Sequence, residues 1–158
     1  MFDTFFGLPL HPLVVHATEV IVPTAALVVL LAAAWPRFRR WAKFVPLGLA
    51  LAALVLVPLS TQSGEALEER VSESALIETH ADLAEGLLPW VIGLVVVAGV
   101  LLWWNWSERS PRKPMKWVAI VLIVAAALVS TGTVVQAIRI GHSGATAVWS
   151  SDVGTPAK

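Results

Sequence analysis

The sequence predicts an all-α integral membrane four-helix bundle with both termini on the outer, non-cytoplasmic side. Three observations predict it. Of 158 residues, 57% are hydrophobic and only 14% charged, which is too apolar for a soluble domain of this size. Four apolar runs approach or reach the roughly 20 residues that a helix needs to cross a hydrocarbon core of about 30 Å. Basic residues gather in the loops between the first and second and between the third and fourth runs, and basic short loops stay on the cytoplasmic side.

The first span covers residues 13–35. Residues 1–10 before it contain no Lys or Arg and include Asp3, whereas a secretory signal opens on a basic stretch, so this run is expected to stay in the mature chain. Pro36 then stops the helix, and Arg37, Arg39, Arg40 and Lys43 mark a cytoplasmic loop. The second span is apolar over 44–59, and uncharged Ser60, Thr61 and Gln62 extend it through the interface to 62. An outer loop, 63–86, follows, with Glu65, Glu68, Glu69, Glu73, Glu78, Asp82 and Glu85 against a single Arg70. Leu67, Val71, Leu76, Ile77 and Leu83 recur through it, which predicts helical extensions of spans two and three above the bilayer, broken near 72–74. The third span covers 87–104, and Arg109, Arg112, Lys113 and Lys116 with Pro111 and Pro114 form the second cytoplasmic loop. The fourth span covers 117–138. Leu, Ala and Val dominate all four, and a spanning backbone must satisfy its own hydrogen bonds, so helix is the economical conformation. Trp35, Trp41, Trp103, Trp104, Trp106 and Trp117 border the basic side, and Trp90 and Trp149 the other, as interfacial anchors do. The whole chain, 1–158, reads as one multi-pass domain of the cell membrane, and no internal repeat is evident.

All four histidines, His11, His16, His80 and His142, fall at the outer ends of these runs. His11 precedes Pro12 at the mouth of the first span, and His16 lies about 7.5 Å deeper at helical rise. Glu19 shares a face with His16 at i+3. His80 stands about 10 Å above the third span if the helix is continuous, and His142 follows the fourth at i+3 from Arg139. A histidine at a helix end also serves as an interfacial polar residue, and a Glu19 to Arg139 ion pair would be plain helix glue. An ionisable residue inside a span nevertheless marks a functional site by default, which singles out His16 and Glu19.

The stretch from Leu10 to His16, an H-P-x-x-V-H opening followed by an apolar helix with Pro23, resembles the start of the four-helix membrane family catalogued as domain of unknown function 2231. Ser63-Gly64-Glu65, His80 ahead of span three, and Ile140-Gly141-His142-Ser143-Gly144-Ala145 are compatible with it, so the resemblance covers nearly the whole chain. Where that family commonly has His-Phe-Pro after the second histidine, this chain has His16-Ala17-Thr18. The resemblance implies a compact four-helix bundle without an established activity, and relatives joined to cytochrome c or Rieske-type domains imply redox surroundings.

Two chemistries compete for the histidines. One is haem b in an electron-transfer setting, with His16 opposite His80 or His142 as axial ligands and Arg139 for a propionate. The other is copper or zinc on His11, His16, Glu19, His80 and His142; no cysteine is present, which excludes thiolate ligands and covalent c-type haem. The alternative is a non-catalytic structural or assembly subunit without cofactor. Small-residue stretches at 49–53 and 125–127 would let helices approach a redox partner, another membrane subunit or a second copy of the chain. No nucleophile motif, phosphate loop or basic groove for nucleic acid occurs, and the formal net charge is zero. Whether the chain is an enzyme stays open. On placement alone, His16→Ala is expected to disturb a cofactor more than His11→Ala.

Overall fold

The computed structural model describes residues 4–71, 74–107 and 116–149. It opens on a feature that hydropathy does not foretell, a hairpin of β1 (Thr4–Phe5) and β2 (Leu8–Pro9), with Thr4 opposite Pro9 and Phe5 opposite Leu8. Phe6 and Gly7 between them have φ of 50° and 81°, the left-handed pair that a two-residue hairpin turn requires.

Helix α1 (Leu10–Ala34) carries Pro12 in its first turn, where a missing N–H has no helical partner to lose. It ends at extended Trp35, and Pro36 starts the short helix α2 (Pro36–Ala42) where the sequence reading placed a loop. Helix α3 (Val45–Glu68) begins with a proline in its first turn. Helix α4 (Ala75–Glu85) is capped by Ser74, whose hydroxyl oxygen accepts the Ile77 N–H at 3.3 Å. After a turn at Gly86 and Leu87, α5 (Leu88–Ser107) continues the same path, and α6 (Lys116–Trp149) returns. Four segments, α1, α3, α4 with α5, and α6, are long and apolar enough to cross a membrane.

Two helices outrun their sequence-read spans. The second span ends at 62 and α3 runs on to Glu68, the helical extension expected there; the fourth span ends at 138 and α6 runs on to Trp149. Its 34 residues measure about 51 Å at helical rise, so about 20 Å project beyond a hydrocarbon core. Hydropathy falls where a helix leaves lipid, but the backbone goes on making the same bonds while the outer ends of α3, α4 and α6 pack on one another.

Helix α1 is central, packed against α3, α5 and α6. Its inner face is made of small residues: Ala25, Ala26, Val29 and Ala32 are fully buried, facing a core that includes Ala50, Ala53, Leu94 and Ala126. Alanine faces let backbones approach closely, which is how helices associate where lipid is as apolar as the core. Ser130 adds a buried cross-link by donating from Oγ to the Ala26 carbonyl at 2.9 Å.

Candidate functional site: an outer cavity between two helical hairpins

The chain forms two helical hairpins, α1 with α3 and α4–α5 with α6, and their histidine-bearing ends line a cavity of about 630 Å³. Most of its lining is apolar, including Val15, Val57, Ile77, Leu87 and Ile140. His11, His16, Glu19 and His80 also line it, whereas His142 and Arg139 do not. Both of the latter are exposed on α6.

His11 sits in the first turn of α1, half-buried, and its ring reaches across to α3. Nδ1 lies 3.1 Å from the Ser60 carbonyl and 3.3 Å from Ser63 Oγ. His80, midway along α4 and also half-buried, reaches across to α6, with Nδ1 3.0 Å from Ser143 Oγ. Among the described residues, neither ring makes a hydrogen bond through Nε2. His16 behaves differently: it is exposed, and its Nδ1 bonds to the Pro12 carbonyl one turn back in its own helix. Glu19 lies against α6, with Oε1 3.7 Å from where a Cβ on Gly141 would stand, and no ion pair joins it to Arg139.

The four histidines thus separate into two that line the cavity and bond across to a second helix, a rim residue and an outlier. Among the described residues, no group of three or more His, Asp or Glu side chains is gathered closely enough to hold a metal ion. The described lining also carries Glu65, Glu68 and Glu85 and no Lys or Arg, so the cavity has a negative rim. Ser63, Gly64, Ser143 and Gly144 lie against the two half-buried rings, although none is a usual metal ligand. Their signal was visible as the Ser-Gly dipeptide, which occurs twice in the chain, at the outer ends of the second and fourth long helices.

The family model described as predicted membrane protein, DUF2231, matches residues 7–157, a stretch that includes every histidine and both Ser-Gly pairs. The chain belongs to the DUF2231 family. A search of curated proteins found no match, and neither did a search of solved structures. This DUF2231 chain is accordingly a multi-pass membrane protein whose family likeness extends over both hairpins.

Proposed function

We propose that the outer cavity binds a transition-metal centre through the imidazoles of His11 and His80, with haem b as the form that fits best, in an electron-transfer setting. The observation that carries this reading is that both rings line the cavity and are held by Nδ1 to a second helix, while among the described residues neither Nε2 has a hydrogen-bond partner. That is how metal-binding histidines are commonly oriented.

Ligand count favours haem over a bare ion. Structural zinc takes four protein ligands and catalytic zinc three, whereas a porphyrin brings its own equatorial nitrogens and asks the protein for one or two axial ones. A mostly apolar cavity of about 630 Å³ lies in the range of small-molecule and cofactor sites and is larger than a bare ion needs. Because the described lining lacks Lys and Arg, haem propionates would turn outward to water. The surrounding carboxylates would favour ferric over ferrous iron and lower the potential.

This reading makes His11 rather than His16 the partner of His80. Its histidine end faces away from the cytoplasm, because α2 and the third-to-fourth connection carry most of the basic residues. The test is the optical spectrum of the purified protein, as isolated and after dithionite, followed by titration with hemin, Cu²⁺ and Zn²⁺. A Soret band with a sharp α band on reduction, lost in both His11→Ala and His80→Ala and kept in His16→Ala and His142→Ala, is expected. Binding of the ions without hemin would assign the same imidazoles to a free metal. A featureless spectrum with no uptake of any of the three would overturn the reading and leave an assembly role.

A further inference from the structure

The two rings are held by the same device. On α3, Ser63 Oγ donates to the Ser60 carbonyl at 3.0 Å, and the His11 ring lies beside Gly64, with Cε1 3.1 Å from where a Cβ on that glycine would stand. On α6, Ser143 Oγ donates to the Ile140 carbonyl at 2.9 Å, and the His80 ring lies beside Gly144, with Cε1 3.0 Å from the corresponding point. In each hairpin a histidine near the outer end of the first long arm docks on a Ser-Gly pair of the second, and the serine bonds three residues back.

The proton count then assigns the tautomers. A serine hydroxyl has one hydrogen, and in both clamps it goes to a backbone carbonyl, so toward the imidazole the oxygen can only accept. For His11 the Ser60 carbonyl, another pure acceptor, imposes the same answer independently. Nδ1 therefore carries the hydrogen in both neutral rings, and the Nε2 atoms hold lone pairs.

We infer that Ser63-Gly64 and Ser143-Gly144 are paired positioning motifs, which lock His11 and His80 as Nδ1–H tautomers and make the cavity a site for ligands that accept electron pairs. The inference rests on the metal reading for the identity of the ligand but not for the tautomers. It gives the site its selectivity: two Nε2 lone pairs attract a metal and repel groups that offer only acceptors, such as carboxylates or phosphates. The glycines are part of the device, because a Cβ at either would force the ring or the backbone to give by a few tenths of an ångström.

The clamps differ in one respect that makes them testable. His11 has two acceptors at Nδ1 and His80 has one, so losing Ser63 leaves the Ser60 carbonyl whereas losing Ser143 leaves nothing. In full-length protein in lipid nanodiscs, NMR of isotope-labelled imidazole nitrogens should find His11 and His80 in the Nδ1–H form. Ser143→Ala should convert His80 to a tautomer mixture and weaken hemin binding about 10- to 100-fold, the usual cost of a lost orienting partner. Ser143→Thr, which keeps the hydroxyl, should restore both, and Ser63→Ala should leave the His11 tautomer unchanged. Gly144→Ala should weaken binding where Gly48→Ala, with open space around it, does not. The inference is overturned if His80 in the unmodified protein carries its hydrogen on Nε2, or if Ser143→Ala binds hemin as the unmodified protein does. Correct tautomers in a protein that takes up neither hemin nor Zn²⁺ would sink the metal reading and leave the clamps standing.

Discussion

Gly132 on α6 meets the ring of Trp90 so closely that a Cβ there would stand 2.2 Å from Cζ3, well inside contact distance. Gly132→Ala must therefore swing the indole outward or part α5 from α6. A loss of about 1–3 kcal/mol, the usual range for overpacking, is expected, read as a lower melting temperature in detergent. Trp90→Ala in the same chain should relieve most of the added loss, since it removes the atom that clashes. Gly99→Ala provides the control: nothing lies within 4 Å of its added methyl, so it should leave stability unchanged or raise it slightly. The same reasoning ranks the histidines. His11 and His80 touch a second helix and His16 touches only its own, so hemin binding should be lost with the first two and kept with the third.

Between α1 and α6 the contact includes buried alanines and a hydroxyl bond. Ser130→Ala removes the bond to the Ala26 carbonyl without changing the fit, and interhelical bonds in membranes are modest, so about 0.6 kcal/mol should be lost. Ala126→Leu is a harsher test, because Ala126 is fully buried opposite α1 and the added carbons have nowhere to go. About 1–3 kcal/mol is expected, and if α1 and α6 set the width of the cavity, the same variant should also weaken hemin binding. Helix extents were only partly legible before the structure. The apolar runs located all four crossings, and the recurring Leu67, Val71, Leu76 and Ile77 foretold helix above the bilayer on either side of 72–74, but nothing bounded the fourth helix beyond 138, because hydropathy reports the solvent around a helix and not the helix.

Taken as a molecule, the chain is a pair of hairpins joined at the histidine end, and the proposed orientation puts that end away from the cytoplasm. The native chain has no cysteine, so single cysteines at Ser74 and Ser110 give a clean test. A membrane-impermeant thiol reagent added to intact cells should label Ser74→Cys and spare Ser110→Cys. Labelling in the reverse pattern would invert the topology and move the cavity to the cytoplasmic face, without touching the geometry inside it.

Membrane class, four crossings and the gathering of the histidines at one end could all be read from the residues, because transfer to lipid depends on local composition and helix length follows bilayer thickness. Rotation about each helix axis could not. Helices apolar on every side fit lipid and core equally, so hydropathy ranks no face over another. His16 and Glu19 drew attention as ionisable residues within a span, and His142 and Arg139 by their spacing. Packing places His16 on the rim and turns His142 and Arg139 away from the cavity. Only tertiary contacts made that choice: close-packed alanines set the faces, and Ser63 and Ser143, visible in the sequence only as a repeated Ser-Gly pair, became partners of His11 and His80 once α1 met α3 and α4 met α6.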